Sequence, residues 1–220
     1  MRPRLKRPII CIVTRARGGA GTSERIALLD RLRTAAEAGA TMVQIRERLF
    51  GDRDLADFVR EVVGAVRPAG GLVTVNERTD IALAAGADGV HLKSDGPPPD
   101  DVRRIVPPEF IVGRSVHSED EAVAVERSGA SDYLLFGTVF PSRSKPPDHA
   151  IAGLDALARV CRAVTIPVVA IGGVSAGRGS DIARAGAAGA AAISLFSEAQ
   201  DIGAVVRELR DALTVHSGNV

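Results

Sequence analysis

Residues 85–92 read AGADGVHL, in which a small residue, a glycine and an alanine come before a short apolar run. The glycine is typical of the position just after a helix, where a left-handed backbone closes the helix and turns the chain. The apolar run after it, residues 88–92, is typical of a strand that is buried on both faces. This stretch therefore predicts the end of one helix and, directly after it, a buried strand.

The same tripeptide pattern, a small residue followed by glycine and alanine, recurs around Gly39, Gly129 and Gly186, at intervals of roughly two βα units. Apolar runs that are short enough to be strands alternate with helical patterns along the whole chain, at residues 9–14, 41–46, 71–75, 88–92, 110–115, 132–137, 167–171 and 189–194. Such alternation predicts a single-domain α/β protein, a (β/α)8 TIM barrel over residues 1–220. An open doubly wound sheet is the alternative.

Local patterns support helices between these runs. Apolar residues recur at helical spacing in residues 55–63 and again in residues 202–213, so we expect an amphipathic helix at each place. Ser118, with Glu121 three residues later, is a capping box and predicts a helix start. The connection 138–150 has no helical pattern and holds several prolines, which is typical of a binding loop or a lid.

Composition excludes several classes of protein. Hydrophobic residues make up 45% and charged residues 25% of the 220-residue chain, as in ordinary globular domains. A net charge of +1 and an aromatic content of 3% give no basis for binding nucleic acid. No apolar run approaches the length of about 20 residues that a membrane span needs. Cys11 and Cys161 are too few for a disulfide framework, so we expect a reducing, cytoplasmic location.

Polar residues follow the second strand, at the end of the barrel where active sites of this fold lie. Side-chain alternation places Gln44, Arg46 and Arg48 on one face. An arginine that points into a barrel mouth needs a partner, and the candidates are Glu47, Glu77 or a bound anion. The pattern therefore predicts either an internal salt bridge or an anion site.

Carboxylates follow two neighbouring strands, Glu77 after the third and Asp95 after the fourth. Such a pair can hold Mg²⁺ when a phosphorylated ligand supplies further oxygens. Glu77 can instead interact with the start of the following helix, and Asp95 can open the turn before three prolines. His91 and His117 are expected to be structural, because no carboxylate is placed to complete a triad with the nearby Ser115.

Hydroxyls, an ammonium and glycines follow the last three strands, in Ser142, Ser144, Lys145, Gly172, Gly173 and Ser194. Backbone amides of glycines and helix starts after strands seven and eight bind phosphate in many barrels of this kind. We therefore expect a phosphate site there. The alternative is that the two glycines serve only a tight turn.

Seven segments, in this order, resemble the thiamin phosphate synthase family, including its ThiE and TenI branches. They are QIRER at 44–48, NERTD at 76–80, GVHL at 89–92, GRSVH at 113–117, DYLLFG at 132–137, FPSRSK at 140–145 and AIGG at 170–173. The resemblance implies an enzyme that joins hydroxymethylpyrimidine diphosphate to thiazole phosphate with Mg²⁺ and releases pyrophosphate. Its partners would be these small phosphorylated molecules.

The resemblance also implies a role for each matching residue. Those expected to bind the pyrimidine diphosphate are Gln44, Arg46, Arg48, Asn76, Ser115 and Lys145. Of these, the expected catalytic residues are Arg46, Ser115 and Lys145. Those expected to bind the thiazole phosphate are Ser142, Ser144, Gly172, Gly173, Ile193 and Ser194. The expected metal ligands are Glu77 and Asp95.

This chain departs from the synthase pattern at the diphosphate and metal site. Arg48 stands in place of Lys, Glu77 in place of Asp, and Gly96 where the pattern has a metal-binding Asp, one residue after Asp95. Some departures resemble the thiazole tautomerases of the TenI branch, which carry a histidine where this chain has Thr138. We expect a synthase, with a tautomerase and a non-catalytic phosphate-ligand-binding protein as alternatives. The sequence leaves the oligomeric state open, a homo-oligomer included.

Overall fold

The predicted strands form in sequence order around a closed parallel barrel. A computed structural model describes residues 5–16, 21–142 and 150–214. Within these residues the strands are β1 (Ile9–Val13), β2 (Met42–Ile45), β3 (Leu72–Asn76), β4 (Gly89–Leu92), β5 (Ile111–Val116), β6 (Tyr133–Phe136), β7 (Val168–Ile171) and β8 (Gly189–Ala192).

Closure of the barrel is decided by the pairing of its first and last strands. β1 and β8 are parallel and in register from Ile9 opposite Gly189 to Ile12 opposite Ala192. An open sheet has two edge strands with only one neighbour each, whereas every strand here pairs with two neighbours, so the open doubly wound sheet is excluded. The single-domain (β/α)8 barrel is confirmed.

Helices follow the strands on the outside of the barrel. They are α1 (Ser23–Glu37), α2 (Asp52–Val66), α3 (Thr79–Ala84), α4 (Pro99–Arg103), α5 (Glu119–Ser128), α6 (Gly153–Ala163), α7 (Gly179–Arg184), α8 (Ser194–Ser197) and α9 (Ile202–Thr214). The two helices predicted from apolar spacing correspond to α2 and α9. None of these helices, over the part of the chain that is described, is long and apolar enough to cross a membrane.

Helix boundaries follow the sequence signals. The glycines of the repeated tripeptide pattern all have a left-handed backbone, with φ of 109° at Gly39, 71° at Gly86, 67° at Gly129 and 89° at Gly186. Ser118 Oγ accepts a hydrogen bond from the Glu121 backbone N–H at 3.2 Å, as the capping box predicts. The Glu121 carboxylate accepts the backbone N–H of His117, at 2.7 Å, one residue earlier than in the standard box.

Two layers of core explain why the strands are apolar throughout. In β1, the alternate residues Ile9, Cys11 and Val13 pack inside the barrel, whereas Ile10 and Ile12 pack under the helices. The interior layer includes the ring of Tyr133. Gly113 on the neighbouring strand makes room for that ring, because a Cβ at this position would lie 2.2 Å from Tyr133 Cζ.

Candidate active site

The carboxyl ends of β2 and β3 bring together the first pair of predicted site residues. The two strands are in register at Ile45 and Val75. Gln44 is buried, and its Nε2 donates to Asn76 Oδ1 at 3.4 Å. Asn76 Nδ2 in turn donates to Glu77 Oε2 at 3.3 Å. These three side chains therefore form one connected polar edge at the mouth of the barrel.

Arg46 is half-buried just beyond the end of β2, with Arg48 exposed two residues later. Over the described ranges, its guanidinium makes no ion pair and no hydrogen bond. Its pKa is lowered, first by burial and second by the positive charge of Arg48, although Glu47 and Glu77 oppose the shift. A cation in these surroundings is electrostatically unfavourable until an anion joins it.

Glu47 does not form the internal salt bridge with Arg46 that was one of the alternatives. Its Oε1 accepts hydrogen bonds from Thr14 Oγ1 at 2.5 Å and from the Ala16 backbone N–H at 2.8 Å. Burial, its largest influence, raises the pKa of Glu47. Glu47 thus holds the chain after β1. The Arg46 guanidinium is not paired with it and is available to another anion.

Ser115, near the end of β5, contacts a buried histidine. His91 Nε2 lies 2.8 Å from Ser115 Oγ, and its Nδ1 lies 3.1 Å from the hydroxyl of Tyr133. Burial, with a smaller effect from Arg114, lowers the pKa of His91 to about 3. His91 is therefore a neutral, hydrogen-bonded barrel residue, as the sequence indicated, and it fixes the position of the Ser115 hydroxyl.

The two predicted metal ligands lie on either side of a lysine. Lys93 Nζ is 2.7 Å from Glu77 Oε2 and 4.0 Å from Asp95 Oδ1. Glu77 has φ of 63°, a left-handed backbone that is rare for a side chain of this kind. The structure therefore brings Glu77 and Asp95 to one place, but with an ammonium between them.

Arg114 fixes the loop that follows β4. Its guanidinium donates to the carbonyl oxygens of Ser94 at 2.7 Å, Pro97 at 2.8 Å and Gly96 at 3.3 Å. Burial of the guanidinium lowers its pKa. Asp95 is held in this loop, with its own side chain 80% exposed.

The loops after β6 and β7 are joined into one wall of the mouth. The Phe140 backbone N–H donates to Gly172 O at 3.1 Å. Gly172 and Gly173 have φ of 98° and 62°. A Cβ on Gly173 would lie 2.3 Å from Pro141 O, so the absence of a side chain permits this close contact. The glycines thus serve loop packing as well as any ligand.

The structure describes some of the remaining predicted site residues and not others. Ser142 follows this wall directly and is half-buried, while Ile193 and Ser194 lie beyond β8, which ends two residues earlier than predicted. Ser194 begins the four-residue helix α8. Ser144 and Lys145 lie outside the described residues.

Two residues at this mouth were not assigned from sequence, Lys93 and Arg114. Lys93 directly follows β4, so its place at a strand end is a signal that could have found it. Arg114 lies within β5 and acts on backbone carbonyls, for which sequence carries no signal.

Comparison with known proteins identifies the family of this chain. Residues 11–196 match the family model described as thiamine monophosphate synthase. A thiamine-phosphate synthase of Methanoculleus marisnigri is 41% identical over 184 residues, which are 84% of this chain and 87% of that protein. A thiamine-phosphate synthase of Chlorobium luteolum is 37% identical over 202 residues, 92% of this chain and 91% of that protein.

A solved structure gives the same result. The thiamine phosphate pyrophosphorylase from Pyrococcus furiosus superposes with a TM-score of 0.81 at 32% sequence identity. The match covers 93% of this chain and 95% of the other.

Proposed function

Because the chain belongs to the thiamine monophosphate synthase family, we propose that it joins hydroxymethylpyrimidine diphosphate to thiazole phosphate, with release of pyrophosphate. The observation that carries this proposal is Arg46, a half-buried guanidinium without an anionic partner among the described residues. A diphosphate is a suitable partner, since a guanidinium donates two parallel hydrogen bonds to phosphate oxygens.

The reaction breaks one bond and forms another at the same carbon. The bond between the pyrimidine methylene and the diphosphate oxygen breaks, and its electron pair leaves with pyrophosphate. The lone pair of the thiazole nitrogen forms the new bond to the methylene. Negative charge develops on the leaving group, so a fixed cation beside it lowers the barrier. Arg46 is in the right part of the mouth to supply one, and Arg48 adds to the positive potential.

The polar edge of β2 and β3 would hold the pyrimidine. Gln44 and Asn76 are bonded to each other and present amide donors and acceptors to the mouth. Ser115 faces the same interior, with its Oγ held at 2.8 Å by His91 Nε2. Because His91 is neutral, its part is to position the Ser115 hydroxyl and not to transfer a proton near neutral pH. Ser115 then binds the substrate directly.

The wall made by the loops after β6 and β7 would hold the thiazole phosphate. Gly172 and Gly173 carry no side chain of their own, and backbone N–H groups of glycines at this end of a barrel are suited to bind an anion. Ser142 adds a hydroxyl, and Ile193 and Ser194 border the same end of the barrel. Ser144 is assigned to this phosphate and Lys145 to the diphosphate, on the sequence pattern of their loop and on the family resemblance.

The family resemblance also implies Mg²⁺ at Glu77 and Asp95, which stays a prediction. The described residues do not fit that ion well, because the Lys93 ammonium is 2.7 Å from the Glu77 carboxylate. Nowhere in the described ranges do three His, Cys, Asp or Glu side chains form a group that could hold a metal. A cytoplasmic location is part of the proposal, and it agrees with Cys11 and Cys161 being free thiols.

The test is incubation of the purified chain with both substrates, with thiamine phosphate and pyrophosphate both quantified. Equal amounts of the two products are expected. Arg46→Gln should lower kcat/KM for the pyrimidine diphosphate by roughly ten- to a hundredfold, the effect of one lost charge-assisted hydrogen bond.

The matched control is Arg60→Gln, which removes an arginine from an exposed ion pair with Asp57 on α2. Its kinetics should equal those of the wild type. Absence of thiamine phosphate would contradict the proposal. If the ligands bind without turnover, the chain is a binding protein, and if a thiazole carboxylate phosphate is isomerised, it is a tautomerase.

A further inference from the structure

An ammonium lies where two carboxylates of the mouth converge. We propose that Lys93 is a built-in cation of the diphosphate site, which binds a phosphate oxygen directly and takes the place of a metal ion between Glu77 and Asp95. This inference rests on the proposed function, because it names the group that neutralises the diphosphate on the β3–β4 side of the mouth.

Glu77 is held in position to orient Lys93. Its Oε2 is 2.7 Å from Lys93 Nζ and also accepts a hydrogen bond from Asn76 Nδ2. The Glu77 backbone N–H donates to His91 O at 2.8 Å, which supports the left-handed backbone. A strained residue that is fixed by its neighbours is typical of a functional site. Glu77 therefore acts as a rigid anchor for the ammonium.

Lys93 retains donors for a ligand. An ammonium has three N–H donors, and its ion pair is with a single Glu77 oxygen. Asp95 Oδ1, at 4.0 Å, is beyond hydrogen-bond distance. Within the residues that the structure describes, no other acceptor bonds to Lys93, and its side chain is 39% exposed. Two donors thus remain available at the mouth.

The loop after β4 has no carboxylate at position 96, where the synthase pattern has its metal-binding Asp. A Cβ at Gly96 would lie 3.6 Å from Glu77 Oε1, so an acidic side chain at this position would meet Glu77. Glycine offers no ligand there. Mg²⁺ would have to displace the Lys93 ammonium from Glu77 and then bind two carboxylates, one of them 80% exposed.

The position of Lys93 complements that of Arg46. Glu77 acts electrostatically on Arg46 and is paired with Lys93, so both cations interact with the same carboxylate. A diphosphate carries two phosphate groups, and one cation for each is the arrangement that these side chains offer. Glu77 limits the repulsion between the cations while the site is empty.

The experiment measures binding of inorganic pyrophosphate by titration calorimetry in EDTA, so that no divalent metal is present. The wild type is expected to bind. Lys93→Gln should weaken binding about tenfold or more, whereas Lys93→Arg, which keeps the charge, should restore most of the affinity. Lys6→Gln is the matched control, because Lys6 lies at the opposite end of the barrel, and its affinity should be unchanged.

A second measurement follows Mn²⁺ by electron paramagnetic resonance as a probe for the metal site. The double variant with Lys93→Gly and Gly96→Asp removes the ammonium and adds a carboxylate beside Glu77. It should bind Mn²⁺ at least about tenfold more tightly than the wild type.

Two results would overturn the inference. One is that the wild type binds pyrophosphate only when Mg²⁺ is added, with Lys93→Gln equal to the wild type. The other is that pyrophosphate does not bind under either condition. Thiamine phosphate formation by the wild type distinguishes failure of this inference from failure of the proposed function. If the wild type forms thiamine phosphate, the synthase activity holds even when Lys93 proves not to bind the diphosphate.

Discussion

Ser115 Oγ lies 2.8 Å from Nε2 of His91, which is buried on the neighbouring strand β4. His91 is itself held by the Tyr133 hydroxyl at 3.1 Å. Two buried side chains, His91 and Tyr133, thus support the half-buried hydroxyl of Ser115 at the mouth. This relationship predicts both the kinetics of Ser115 variants and the pH dependence of stability.

Ser115→Ala should lower kcat/KM for the pyrimidine diphosphate by about tenfold, because a positioned hydroxyl that bonds the substrate is lost. Steady-state kinetics of thiamine phosphate formation measure the effect. Ser118→Ala is the control, since Ser118 caps α5 at the surface. It should cost about 1 kcal/mol of stability and leave kcat/KM unchanged. Equal kinetics for both variants and the wild type would place Ser115 outside the site.

Stability should fall as the pH drops below about 6.5, because the pKa of His91 is lowered from 6.5 to about 3 on folding. The unfolded chain takes up this proton between those values, and the folded chain does not. The free energy of unfolding then decreases with falling pH, by up to about 1.4 kcal/mol per pH unit for this one group. Urea unfolding at pH 7, 6 and 5 measures it.

The comparison with His91→Gln isolates this group from the carboxylates. The variant should show a shallower loss of stability than the wild type over the same pH range. Parallel curves for the wild type and His91→Gln would show that burial of the imidazole does not shift its titration.

Gly113→Ala should destabilise the barrel by about 1–3 kcal/mol, because the added Cβ would lie 2.2 Å from Tyr133 Cζ. The matched control is Gly64→Ala on α2, where nothing lies within 4 Å of the added Cβ. Alanine there should gain about 0.5–1 kcal/mol through helix propensity. Chemical unfolding measures both, and a Gly113→Ala variant as stable as the wild type would contradict the packing.

Lys145→Ala tests a residue that is assigned from the sequence, by the pattern of its loop and by the family resemblance. If its ammonium contacts the departing pyrophosphate, kcat/KM for the pyrimidine diphosphate should fall about tenfold or more. Unchanged kinetics would place the loop after β6 away from the diphosphate.

Much of the fold was predictable from sequence, because strands covered by helices are short apolar runs and glycines mark the helix ends. Alternation also indicated that Gln44 and Arg46 share a face. Alternation could not indicate that Glu47 bonds Thr14 instead of Arg46. That choice depends on the rotamer of Glu47, and the sequence pattern does not specify rotamers. The place of Lys93 directly after β4 could be found from sequence, but the partner of its ammonium could not. Its contact with Glu77 joins two loops from different strands, and Glu77 reaches it through a backbone conformation that its residue type disfavours.

A crystal structure with pyrophosphate and thiazole phosphate bound tests where the chemistry takes place. The site described above predicts pyrophosphate on Arg46 beside Gln44 and Asn76, with the thiazole phosphate against Gly172 and Gly173. The opposite end of the barrel holds a cavity of about 150 Å³ lined by residues that include Lys6, Thr41 and Gly70. Anions bound only there, with the mouth at the carboxyl ends of the strands empty, would contradict the proposed active site.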